Sequence, residues 1–502
     1  MKKIILTLLV AVTLLGSSCE NFLSVNEKNP NNPSEVAPKL MLPAAMNNIA
    51  YEISYPRRFE FVYLWHGLWS ISAGYSQPQN LCQYKLLNSD YQAGFREMYL
   101  WGNNLTTIEK NSTAAKDVYY LAVSKILKAY IFQYLVDCYG DVPYTEAFKA
   151  EEGILKPKYD DQEAIYTDLV VKLNEAIALI QNATTEAEAL TTASDIIYHG
   201  NMDLWLKFAN TLKLRILVQQ CTMPTKAAYI TTEIANTASI GYIGAGEGAL
   251  SNPGYVVSDT KMNPFYEYFY NAAGSSKSDG VTYYFAGKDA VDFMKTTNDS
   301  RIGMFFQTNS SGAYAGNIFG TLPAGLTPAA GTSKLGYSAG VVGTMIGTPT
   351  KSSPVFTDFE ALFLQAEAVQ RGLITGDAKA LYESAVTRSF LYMGKTSGDA
   401  ADFLSQETAS VNYTASSDKL GLILTQKWVA LNGISPITIW DDYRKTGYPN
   451  FLHWSVDPAK VGPGTPPVRL DYPQDELNVN NTNVTAVGTI NVFTDKIFWQ
   501  TR

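Results

Sequence analysis

The feature that most constrains this chain is a recurrence of amphipathic helical periods in adjacent pairs. In "YYLAVSKILKAYIFQYLVDCYGD" the residues Val123, Ile126, Leu127, Tyr130 and Tyr134 follow the i, i+3, i+4 spacing, and Gly140 stops the pattern. "DQEAIYTDLVVKLNEAIALI" repeats it with Ile165, Leu169, Leu173, Ile177 and Ile180, capped by Asp160 or Asp161. The linker "GDVPYTEAF" is short, so these two helices should face each other. A third, "NMDLWLKFANTLKLRILVQQ", carries Leu204, Phe208, Leu212 and Ile216. Two more, near Asp358 to Arg371 and Asp377 to Leu391, are joined through "GLITG". "DKLGLILTQKWVALNG" sets Leu420, Ile423, Lys427 and Leu431 on one side, with Trp428 beside them. Helices joined by short loops pack as neighbours, and a series of such pairs makes an α-solenoid. The expected fold is mainly α, a tetratricopeptide-like helical-pair scaffold. No literal repeat consensus is present, so the repetition is one of shape.

Two stretches break the pattern. Between about 222 and 355, Gly, Ser, Thr, Tyr and Asn dominate, as in "SGAYAGNIFGTLPAGLTPAAGTSKLGYSAG". This reads as a loop-rich excursion with a few short strands, the kind of segment that carries ligand-binding function. A second irregular region runs from Pro449 onward. Helices and loops interleave, which favours one domain over 39–502.

The start of the chain reads as a processing signal. Met1-Lys2-Lys3 is followed by an apolar run from Ile4 to Leu15, then Gly16-Ser17-Ser18-Cys19. That run is too short to span a bilayer, which needs about 20 residues. Small residues directly before a cysteine resemble a bacterial lipobox, with Gly16 where the strictest form has leucine. On this reading 1–18 is a lipoprotein signal peptide, Cys19 is acylated, and 19–38 is an extended tether holding Pro30, Pro33 and Pro38. The alternative is ordinary export with an incidental cysteine.

The chain of 502 residues has a formal charge of -8, which argues against nucleic acid as a partner. Cys82, Cys138 and Cys221 match no zinc spacing, and an odd number cannot all pair. They read as structural, with room for one bridge. His66, His199 and His453 lie far apart, so neither a metal nor a cofactor site is expected.

Catalytic signals are weak. Gly336-Tyr337-Ser338-Ala339-Gly340 spells G-x-S-x-G with His453 downstream, but the flanks "AAGTSKL" and "VVGTMIG" lack the strand and helix of a nucleophile elbow. Asp441-Asp442, beside Trp440 and Arg444, reads as a structural ion pair near a helix end. The enzymatic alternative is a surface glycoside hydrolase, in which two of the 47 acidic residues converge on the scissile bond.

Aromatic rings in polar, irregular segments are the better lead. "FVYLWHGLWSISAGYSQPQN" supplies Trp65, Trp69, Tyr75 and Gln77, and "GVTYYFAG" supplies Tyr283 and Tyr284. Such rings can stack on the C–H face of a sugar while amides bond its hydroxyls. The competing reading is that Trp65 and Trp69, four residues apart, form the core face of a helix.

Several long blocks resemble, in order, segments of the SusD/RagB family and its SusD-like branch. They are "CENFLSVNEKNPNNPSEVAPKLMLPAA", "YIFQYLVDCYGDVPYTEAF", "DFEALFLQAEAVQRG" with "GDAKALYESAV", "QKWVALNGISPITIWDDYRKTGYP" and "PVRLDYPQDELNVN". The resemblance implies a surface-exposed, non-enzymatic outer-membrane lipoprotein on a tetratricopeptide-like scaffold. It would capture oligosaccharides, or in some members peptides, and deliver them to a SusC-like TonB-dependent transporter. Cys19 matches the family's lipidated cysteine, and Gly140-Asp141-Val142-Pro143-Tyr144 its helix-pair loop. Ligand residues vary among members, so none is carried over.

Overall fold

Eleven helices carry the architecture in the computed structural model: α1 Pro38–Ser54, α2 Glu60–Trp65, α3 Gln92–Asn111, α4 Val118–Tyr139, α5 Gln162–Gln181, α6 Met202–Gln219, α7 Pro264–Phe269, α8 Asp358–Gln370, α9 Ala378–Tyr392, α10 Lys419–Ala430 and α11 Pro436–Thr446. Residues 36–72, 79–112, 115–277, 281–320, 331–336 and 344–502 are described. The leader, Cys19, Tyr75, Gln77 and Ser338 lie outside them.

The expected pairs form. α4 packs on α5 and on α3, α5 on α6, and α8 on α9 and α10. α4 is buried on nearly every side, from Tyr120 and Val123 through Leu135 and Cys138, which makes it the axis of the first bundle. Gly140 ends it at φ 77°, a left-handed conformation that glycine adopts without strain. The two candidate caps at the next helix divide the work. Asp161 caps α5, accepting from Ala164 N at 2.9 Å. Asp160 instead clamps the linker, its Oδ2 taking Tyr144 N at 2.9 Å and Thr145 N at 2.8 Å.

Strands occur as three antiparallel pairs. β1 (Trp69–Ile71) pairs with β5 (Tyr284–Ala286), β2 (Val142–Pro143) with β3 (Tyr159–Asp160), and β4 (Ala249–Ser251) with β6 (Ser353–Phe356). The second pair lies in the linker between α4 and α5 and fixes their entry angle. The third closes the excursion, bringing its two flanks together. That excursion is more helical than expected: Ala227–Asn236, α7 and Lys288–Thr296 all lie within it. The region after Pro449 holds two short helices, Gln474–Val479 and Asn481–Val487. Buried apolar side chains from Leu42 to Trp499 form one connected cluster.

Buried charge ties the second bundle together. Glu367 on α8 accepts from Lys445 on α11 at 2.9 Å and from Arg371 at 2.8 Å, and Asp442 pairs with Lys427 of α10 at 2.8 Å. Burial alone would raise the Glu367 carboxyl, but Lys445, Arg371 and Lys427 outweigh it and hold it down at about 2. Removing one partner of such a buried pair costs about 3–5 kcal/mol. Asp441 pairs with Arg444, whose guanidinium stacks 3.9 Å from the Trp440 ring centre and 5.0 Å from that of Trp499. The acidic pair Asp441-Asp442 is thus engaged inside the core. Cys82, Cys138 and Cys221 are free thiols, so no bridge joins them.

Candidate ligand-binding site

The two aromatic stretches singled out from the sequence meet in one sheet. β1 and β5 pair as Trp69↔Ala286, Ser70↔Phe285 and Ile71↔Tyr284, and Ser72 N extends the pairing to Tyr283 O at 2.8 Å. Tyr283 therefore stands at the end of the sheet that Ser72 closes. Close contact makes this possible: a Cβ on Gly287 would sit 2.1 Å from the Gly67 carbonyl oxygen, so only glycine fits there.

Three of the expected ligand residues are core residues, which corrects that part of the reading. Trp65, Trp69 and Tyr284 are 1%, 0% and 0% exposed. Trp65 donates its indole N–H to Leu81 O at 3.2 Å. Trp69 stacks on Tyr63 at 4.3 Å and donates to Asn432 Oδ1 at 2.8 Å. Tyr284 donates to Glu60, whose carboxyl burial raises. No surface remains on these rings for a ligand to stack against. The two tryptophans do not share a helix either, because Trp65 ends α2 and Trp69 opens β1.

Half-buried tyrosines surround this core. Tyr283 meets Tyr284 at 4.8 Å, Tyr284 meets Tyr268 at 6.1 Å, Tyr268 meets Tyr55 edge-on at 5.4 Å, and Tyr55 stacks on Tyr51 at 5.2 Å. Tyr51 sits four residues before Tyr55 at the end of α1, where Pro56 follows. Tyr268 is placed by α7, which Asn263 caps by accepting from Tyr266 N. Arg57, half exposed, stands beside the row with its Nε 3.8 Å from Glu60 Oε1. Burial raises the Tyr51 hydroxyl to about 12 and also raises those of Tyr55, Tyr268 and Tyr283. All four therefore stay protonated at neutral pH, able to donate and to accept. The sequence reading singles out Tyr283 of this row and not Tyr51, Tyr55 or Tyr268. Their signal was local aromatic density, in "YEISYP" and "FYEYFY".

A larger groove of about 900 Å³ lies against α3, α4 and α5. Several of its charges are paired with one another or with neighbours: Lys128 with Glu109 at 2.8 Å, Lys125 with Glu175 at 2.9 Å and Lys110 with Glu151 at 2.5 Å. His453 is bound to Asp289 at 2.5 Å, and Ser338 of the G-x-S-x-G stretch lies outside the described residues. No group of three or more potential metal ligands occurs among the described residues.

Fold and patch together define a helical-pair scaffold that presents a row of aromatic rings beside a small sheet. The chain belongs to the SusD-like family described as starch-binding and associating with the outer membrane, whose profile matches residues 30–473. No curated protein sequence matches it. Solved structures share the fold. A SusD homologue from Bacteroides uniformis superposes with a TM-score of 0.74 at 23% identity, over 92% of this chain and 99% of that one. A chitin-binding SusD homologue from Flavobacterium johnsoniae gives 0.74 at 23%, over 92% and 98%. A SusD homologue from Bacteroides fragilis gives 0.71 at 22%, over 93% and 99%.

Proposed function

We propose that this protein is a non-enzymatic, cell-surface nutrient-binding lipoprotein that captures an oligosaccharide on the Tyr51–Tyr55–Tyr268–Tyr283 row and delivers it to a SusC-like TonB-dependent transporter. The observation that carries this reading is the row itself: neutral, half-exposed rings beside the β1–β5 sheet. Sugar rings stack on such surfaces by their C–H faces, and the tyrosine hydroxyls and the Arg57 guanidinium supply edge hydrogen bonds. The family's description and the chitin-binding relative both support a glycan over a peptide as cargo. Tyr75 and Gln77 remain proposed contacts, and Cys19 the proposed site of acylation, with 39–502 acting as one domain.

Titration calorimetry across starch, chitin and other plant and microbial oligosaccharides tests this. At least one glycan should bind, and Tyr268→Ala should weaken it about tenfold, or about 1.4 kcal/mol. Unchanged affinity in Tyr55→Ala and Tyr268→Ala would remove the row from the site. Peptide recovered from the protein instead of sugar would favour the peptide-binding alternative.

A further inference from the structure

A pocket of about 280 Å³ lies where α11 meets the irregular C-terminal region, and its walls include Tyr443, Trp454, Pro466, Pro467, Lys496 and Arg502. That is near the lower end of small-molecule sites and holds one ring.

One side of the pocket is apolar and rigid. Tyr443 and Trp454 are each half-buried and meet edge-on at 5.4 Å, and the two prolines continue the wall. Tyr443 is fixed by its neighbours on α11, because Asp442 and Lys445 are anchored in buried ion pairs with Lys427 and Glu367.

The other side is cationic. Arg502 is exposed, and its guanidinium carbon lies 5.6 Å over the Tyr443 ring, at the end of α11 where glycine at 447 leaves it room. The carbonyl end of a helix attracts a positive charge and so holds the guanidinium there. No described residue accepts a hydrogen bond from it. Lys496, also exposed, donates to the Arg502 backbone oxygen and keeps further N–H groups to spare. Neither cation has a carboxylate partner among the described residues. Arg444, behind them, is different: it is 6% exposed and spent on Asp441 and on Val468 O, so it adds no free charge. No acidic side chain lines the pocket among the described residues. Asp495, next to Lys496 in sequence, instead accepts from Asn491 N and from the Thr494 hydroxyl.

This lining selects on two counts. An uncharged ring would use the aromatic wall and leave both cations as they are, while a bare inorganic anion would meet the cations and forgo the wall. A carboxylate accepts charge-assisted hydrogen bonds from arginine and lysine that are about twice as strong as neutral ones. A ring that carries one uses both sides at once.

We propose that this pocket binds a single six-membered ring bearing a carboxylate, the ring against Tyr443 and Trp454 and the carboxylate between Lys496 and Arg502. A hexuronate and an aromatic acid share that chemistry. The site is separate from the tyrosine row and does not depend on the row being the glycan site.

Saturation-transfer NMR on the full chain tests this with D-glucuronate and benzoate as probes, and with D-glucose and benzyl alcohol as their uncharged counterparts. At least one acid should show transfer, about tenfold stronger than its counterpart, and which acid does so tells a sugar source from an aromatic one. The double variant Lys496→Gln with Arg502→Gln should cut that signal about tenfold. Both residues are exposed, so its thermal melt should match the parent's and separate lost binding from lost folding. Tyr268→Ala, which removes a ring of the row, should keep the signal. The proposal is overturned if neither acid shows transfer, if the uncharged counterparts bind as well, or if the double variant binds like the parent. Complete displacement of the acid by an equal concentration of sulfate would overturn it too, by showing a site for any anion.

Discussion

Asp137 shows how single residues in this protein are set by their surroundings. Its Oδ1 accepts both the Tyr166 hydroxyl and the Trp499 indole N–H, the latter at 2.9 Å, so Oδ2 is the oxygen left to carry a proton. Burial and the neighbouring Asp441 charge push its carboxyl well up. A raised carboxyl keeps in the folded state a proton that the unfolded chain gives up near pH 3.9, so it lowers stability as pH rises above about 4. Asp137→Asn keeps the acceptor and presents a neutral N–H donor in place of the proton. The variant's stability relative to the parent should therefore increase from pH 4 to pH 7, by at most about 1.4 kcal/mol per pH unit. Urea melts at both pH values would measure it, and a pH-independent difference would refute the assignment. Nothing in the sequence marks Asp137 in this way, because its partners lie on α5 and hundreds of residues downstream. The same limit explains Trp65 and Trp69: spacing gives their direction within a local element, while burial depends on Tyr63, Leu81 and Asn432.

At the scale of elements the long periodic helices were legible one by one, whereas strands were expected only as a few short ones between about 222 and 355, without positions or partners. Apolar period, Asp161 and Gly140 set the edges of α4 and α5 because caps and core faces are local chemistry. β1 and β5 are three residues each and more than two hundred residues apart, so no periodicity could announce them. The candidate site depends on that pair, and the pair depends on Gly287. Gly287→Ala should force the Gly67 backbone away, lower the melting temperature and weaken glycan binding severalfold. Gly331→Ala, where an added Cβ meets nothing within 4 Å, should do neither. Equal effects in the two variants would disconnect the sheet from the site.

Across the whole molecule, no described helix is long and apolar enough to cross a membrane. The proposed attachment is through Cys19. Labelled palmitate should enter the parent protein and not Cys19→Ser, and only the parent should fractionate with membranes. Label in both, or in neither, would end that proposal. β4 and β6 carry a different consequence. Ala249–Ser251 and Ser353–Phe356 lie side by side, so the hundred or so residues between them, Tyr268 and Tyr283 included, depart from and return to a single spot on the helices. Closing a longer or shorter loop at such a point changes the entropy only slowly with length. The arrangement moors this segment twice, its two ends to each other and its middle to β1, so its exposed turns can vary in length while both moorings hold.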